Sequence, residues 1–156
     1  MTPTTSALRK TAFVKQALPR AFELFTMHMG DWWPLDTHSV GRAESQTVVL
    51  EPRVGGHIVE TTTRGETVIW GTVLVWEPPA HVRFTWHPGT PPDEATEVDV
   101  TFAESPDGTI VELVHTGWDR RADGPNARDN YDGGWDYVFG RFAAAGPGAL
   151  IAGPDA

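Results

Sequence analysis

From Gln46 onward the chain alternates apolar and polar side chains in short runs, each cut off by turn-forming residues. The runs at 46–51, 56–63, 66–76, 81–87, 96–104 and 109–116 predict strands; Pro52, Gly55-Gly56, Gly65, Pro78-Pro79, Pro88-Gly89 and Pro106-Asp107-Gly108 are the punctuation between them. Such spacing is that of an antiparallel meander, with Arg64-Gly65 and Asp107-Gly108 marking its tight hairpins. Because successive side chains on a strand point to opposite faces, the alternation also assigns sides. If Glu112 faces water, then Val111, Leu113 and His115 face inward. The same rule turns Val98, Val100 and Phe102 inward, and groups Phe84 with Trp86 opposite Arg83 and Thr85.

Two further segments flank the meander. Residues 10–18 alternate as a first strand, which Pro19 ends, and Arg20 to Met29 carries Phe22, Leu24, Phe25 and Met29 at helical spacing. Gly30-Asp31-Trp32-Trp33-Pro34 breaks that helix into a loop or one further turn. At the other end Asn126 is expected to cap a long helix whose Tyr131, Trp135, Val138 and Phe142 form one stripe, widened by Phe139. Gly146-Pro147-Gly148 ends it, and residues 1–9 and 146–156 are expected to be flexible tails.

Composition narrows the classes. At 156 residues the chain has the size of one domain, 1–156, able to bury a single core. A net charge of -9, with no basic stripe, argues against binding nucleic acid or an anionic membrane, and no apolar run is long enough to span a bilayer. The absence of cysteine removes disulfides and thiolate chemistry, and the polar start does not read as a secretory signal, so a cytoplasmic location is expected. Seven tryptophans, several-fold above the roughly one per cent usual in such domains, make the interior unusually aromatic.

The order strand, helix, six strands, long helix carries specific local motifs: Ala21-Phe-Glu-Leu-Phe-Thr26, Trp32-Trp-Pro34, Leu50-Glu-Pro52 with Gly55-Gly56, Trp70-Gly-Thr-Val73, Trp76-Glu-Pro-Pro79, Phe84-Thr-Trp86, His115-Thr-Gly-Trp118 and Tyr131-Asp-Gly-Gly-Trp135. In these the sequence resembles the family named for the activator of Hsp90 ATPase, within the superfamily of START, Bet v 1 and polyketide cyclase-like domains. The resemblance implies an α+β helix-grip fold: a curved seven-stranded antiparallel sheet around a long C-terminal helix, with one or two short helices after the first strand. It also implies a cavity between sheet and helix, which in related domains holds lipids, hormones or polyketide intermediates. The separate N-terminal domain of the co-chaperone that names the family has no counterpart here, which weakens an expectation of chaperone activation.

Within that frame the candidate ligand-binding residues are Trp70, Phe84, Trp86, Phe102, His115, Tyr131, Trp135 and Phe139, an aromatic lining with few polar groups, as ligand pockets have. Each aromatic serves equally well as core packing. His115 is the main polar candidate, with Tyr131 and Glu60 beside it; the bland alternative for His115 is a hydrogen bond fixing the turn at Gly117-Trp118. A bulge at Gly55-Gly56 would change the face that Glu60 occupies. Trp32-Trp33 either plugs one end of the cavity or forms a lid, the plug being the simpler reading. No Gly-x-Ser-x-Gly elbow, phosphate loop or metal-binding histidine pair is present, so no cofactor and no metal are expected. The leading expectation is therefore the binding of a small hydrophobic ligand, be it lipid, aromatic or polyketide-like. The alternatives are a cyclase or aromatase using His115, and a co-chaperone-like module with a protein partner and no ligand.

Overall fold

The computed structural model describes residues 6–145. The chain runs β1 (Leu8–Val14), α1 (Leu18–Thr26), α2 (Met29–Trp32), β2 (Ser45–Leu50), β3 (His57–Thr62), β4 (Thr67–Glu77), β5 (His81–Trp86), β6 (Thr96–Ser105), β7 (Gly108–Thr116) and α3 (Gly124–Ala145). The strands form one curled antiparallel sheet in the order β1-β7-β6-β5-β4-β3-β2. Pairing β1 with β7 places the first and last strands side by side, and the α1–α2 connection then crosses from one sheet edge to the other. This is the α+β helix-grip architecture that the family resemblance implies.

Where the boundaries differ from expectation, local chemistry explains it. The first strand occupies Leu8–Val14 rather than 10–18, and α1 starts at Leu18 with Pro19 in its first turn and no side-chain cap. The β6–β7 hairpin pairs Ser105 with Gly108, so its two turn residues are Pro106 and Asp107. Gly108 does not have positive φ; it sits where an added Cβ would lie 2.3 Å from the Val14 carbonyl oxygen, so close approach demands the glycine. Asn126 falls inside α3, which begins at Gly124. Pro125 suits that first turn because its missing amide donor costs nothing there. The expected helix stop at Gly146-Pro147-Gly148 lies outside the described residues.

Alternation holds on β3, where Ile58, Glu60 and Thr62 all face inward, and the irregularity is on β4 instead. There Trp70 is an extra residue between the partners of Ile58 and Val59, a bulge that aims its indole into the interior.

Packing divides the concave side into two regions. Near α1, Phe22, Phe25, Phe102 and Phe142 pack edge to face, with ring centroids 5.1–6.0 Å apart. Toward the other end the indoles of Trp33, Trp70, Trp86 and Trp135 meet at 5.3–5.8 Å. α3 covers both regions, burying Trp135, Val138, Phe139 and Phe142. It is also tied to the sheet edge by Lys10, whose ammonium reaches Asp132 and Asp136 on the helix.

Candidate functional site

At the tryptophan end, sheet and helix do not close completely, leaving a cleft of about 360 Å³. Trp86, at the end of β5, and the following Pro88 and Gly89 form its sheet side. Tyr131, Gly134, Trp135 and Val138 supply the helix side, one face of α3 at the spacing of successive turns. The segment after α2 completes the wall with Trp33, His38, Ser39, Val40 and Arg42. Three indoles line the cleft, and their mutual ring separations are 5.6 Å for Trp33–Trp86, 5.8 Å for Trp33–Trp135 and 5.8 Å for Trp86–Trp135.

The helix side owes its depth to Gly134: a Cβ there would meet nothing within 4 Å. The loop side is held by Glu60. This carboxylate is fully buried and accepts from the backbone amides of Val40 (2.9 Å) and Gly41 (2.8 Å) and from the Trp70 indole (2.9 Å). Burial alone would push its pKa up, but the Gly41 and Val40 amides, with further hydrogen bonds that include the Trp70 indole, outweigh that effect and hold it below the ordinary value. Glu60 thus remains an anion without an ion-pair partner among the described residues, satisfied by hydrogen-bond donors such as the Val40 and Gly41 amides and the Trp70 indole. Gly41 is required by the same contact, since a Cβ would sit 2.9 Å from the Glu60 oxygen.

His115 lies one layer behind the cleft. It is fully buried; Trp135 Nε1 donates to its Nδ1 (2.9 Å), so Nε2 carries the proton and donates to Thr96 Oγ1 at 2.6 Å. Thr96 in turn donates to the Trp86 carbonyl (3.1 Å), and Trp118 Nε1 donates to the His115 carbonyl (3.1 Å). Burial, with the positive Arg121 nearby, depresses the imidazole pKa to about 3. The ring is therefore a neutral, fully paired group that positions Trp135 from behind.

Tyr131 is the polar group of the aromatic wall. Its oxygen accepts from Trp86 Nε1 (3.1 Å), which leaves the phenolic proton to be given away. Burial raises the Tyr131 pKa, while Trp86 and Arg121 pull the other way, so at neutral pH it stays a hydroxyl.

Of the residues singled out in the sequence, Trp86, Tyr131 and Trp135 line the cleft. Trp70 supports it from below through Trp33 and Trp86, and Phe84 packs beneath Trp86. Phe102 sits at the phenylalanine end with Phe22 and Phe25, and Phe139 packs against Phe25 and Phe142. The adjacent tryptophans divide their roles. Trp32 is core, donating to the Leu24 carbonyl at 2.8 Å, whereas Trp33 walls the cleft and donates to the His38 carbonyl at 2.7 Å. The loop residues His38, Ser39, Val40 and Arg42 carry no periodic pattern that would have marked them. Among the described residues no three histidine, aspartate or glutamate side chains gather as a metal site, and no helix is long and apolar enough to cross a membrane.

Comparison with known proteins places this fold. A solved structure described as an anthrahydroquino-γ-pyrone synthase, Txn09, complexed with a ligand, is 30% identical with a TM-score of 0.62, covering 92% of this chain and 99% of that one. The AHSA1-like protein from Aeromonas hydrophila superposes with a TM-score of 0.66 at 18% identity, covering 97% of this chain and 99% of its own. The Aha1 dimer from Colwellia psychrerythraea gives 0.65 at 16% identity, covering 91% and 96%. No match to a curated protein is found. The family model described as Activator of Hsp90 ATPase homolog 1-like protein matches residues 20–146, and the chain belongs to that family.

Proposed function

We propose that the protein binds a flat, mostly apolar aromatic or polyketide-like molecule in the cleft between β5, α3 and the loop after α2. The observation that carries this reading is the combination of three indoles around a void of about 360 Å³ with the Tyr131 hydroxyl on the helix side, whose oxygen already accepts from Trp86. Indoles offer large apolar faces for stacking, and a few placed polar groups fix orientation. The synthase relative supports the substrate class, since its name describes a fused-ring product. Whole-chain coverage in both directions makes that support apply to the fold as a unit.

The same relative favours a second reading, in which the bound molecule is also cyclised. In that case Tyr131 is the proton donor facing the ligand, and His115 acts through Trp135 and Thr96 rather than on the ligand itself. Fluorescence titration separates the outcomes. Anthraquinone-type compounds are expected to quench tryptophan emission saturably and to raise the melting temperature, whereas Gly134→Leu, which fills the cleft from the helix, abolishes both effects. A flat response to ring compounds and to long-chain fatty acids alike would refute binding. Chemical turnover of a poly-β-ketone substrate, lost in Tyr131→Phe with binding retained, would establish the cyclase.

A further inference from the structure

The cleft has a charge character opposite to that of the protein around it. The chain carries 21 acidic residues against 12 basic ones, yet no aspartate or glutamate lines the cleft, while Arg42 does. Arg42 also differs from every other arginine among the described residues. Arg9, Arg20, Arg53, Arg64, Arg83, Arg120, Arg121 and Arg128 each face a carboxylate, and Arg141 donates to the Trp32 carbonyl. The Arg42 guanidinium has no hydrogen bond or ion pair within the described residues.

Its backbone is held in an unusual place. Arg42 has φ of +50°, the left-handed region that an L side chain enters at a cost. Two contacts maintain it: the Arg42 amide donates to Ser39 Oγ at 2.8 Å, and the preceding Gly41 amide donates to the buried Glu60 at 2.8 Å. Strained backbone that the surroundings enforce is typical of residues placed for a ligand. Ser39 is used up in this arrangement, since its hydroxyl donates to the Leu35 carbonyl. His38 Nδ1 is engaged by Thr37 Oγ1 (2.7 Å), so among the loop side chains the guanidinium is the unspent cation.

We infer that Arg42 recognises a carboxylate on the aromatic ligand, and that the natural ligand of this cleft is an aromatic acid rather than a neutral ring system. The inference rests on the cleft-binding reading above. The planar guanidinium fork matches a carboxylate with two parallel hydrogen bonds, and the indoles hold the rings. The acidic remainder of the surface makes an anion that strays elsewhere unwelcome, so the preference is local to this loop.

Anthraquinone-2-carboxylate and anthraquinone-2-carboxamide, which differ only by an O⁻ replaced with a neutral NH2, provide the test by tryptophan quenching at low and high salt. The wild-type protein is expected to prefer the carboxylate by about fivefold at low salt, the size of a partly exposed charge pair, with the preference shrinking as salt rises. Arg42→Gln and Arg42→Gly are expected to bind both compounds equally, at the wild-type affinity for the carboxamide. Arg42→Gly suits the positive φ, so it keeps the loop conformation while removing the charge. Equal wild-type affinities, or a preference that survives in both variants, would overturn the role of Arg42 while leaving the cleft intact. Failure of both compounds to bind the wild-type protein would overturn the cleft reading and this inference with it.

Discussion

Replacing Glu60 probes the support of the candidate site directly. Glu60 is fully buried and ionised, and accepts from the Val40 and Gly41 amides and the Trp70 indole at 2.8–2.9 Å. A buried donor that loses its acceptor costs about 1–3 kcal/mol, so three donors set a ceiling of roughly 9 kcal/mol. The two loop amides are only partly buried and can turn to water, whereas the Trp70 indole cannot. Glu60→Ala is therefore expected to cost about 3–5 kcal/mol, a large share of a typical domain's stability. Glu60→Gln, whose amide oxygen can take the place of the Oε1 shared by Val40 and Trp70 while its NH2 faces the Gly41 amide, is expected to cost about 1–3 kcal/mol. Urea unfolding followed by circular dichroism measures both. Because the folded Glu60 pKa lies below its ordinary 4.5, the stability it contributes is present above that pH and fades as pH falls through the folded value. The gap between wild type and Glu60→Gln should accordingly narrow in acid. A Glu60→Gln protein within about 0.5 kcal/mol of wild type at pH 7, the range of ordinary surface changes, would refute this account of the loop.

Three other outcomes follow from the same contacts. The His115 imidazole should show no titration by NMR between pH 8 and 5, because its folded pKa is about 3; stability tied to it declines as pH drops below the unfolded value of 6.5 toward that figure, since only the unfolded chain takes up the proton. Gly133→Ala and Gly140→Ala, both in α3 with open space around the added methyl, should each raise unfolding stability by up to about 1 kcal/mol in chemical denaturation. Lys10→Met should lower stability by no more than about 1 kcal/mol, since both partner carboxylates are largely exposed and screened, and the loss should shrink further at high salt.

The sequence is informative here in proportion to its regularity. Alternation along β6 and β7 places Val98, Val100, Phe102 and His115 on the inner face, because a strand offers only two sides. It does not say how far along the strand a residue lies. Phe102 and Thr96 share a face of β6 but are about 20 Å apart at roughly 3.3 Å per residue, so Phe102 belongs to the phenylalanine end while Thr96 meets His115. Lys10 faces inward from β1 while Phe13 is exposed, a reversal of the hydrophobic pattern that makes sense only once Asp132 and Asp136 arrive from the far end of the chain. Arg42 and its neighbours lie in an aperiodic loop whose path is dictated by a carboxylate on β3, which no local pattern encodes.

The central claim, that the tryptophan end of the interior receives a ligand, is tested most directly by the seven indole N–H signals in a nitrogen-proton NMR spectrum. On titration with anthraquinone-2-carboxylate the signals of Trp33, Trp86 and Trp135 should shift most and saturate together, while that of Trp76, packed on Phe22 at the phenylalanine end, stays in place. Shifts centred on Trp32 and Trp76, or none at all, would contradict it.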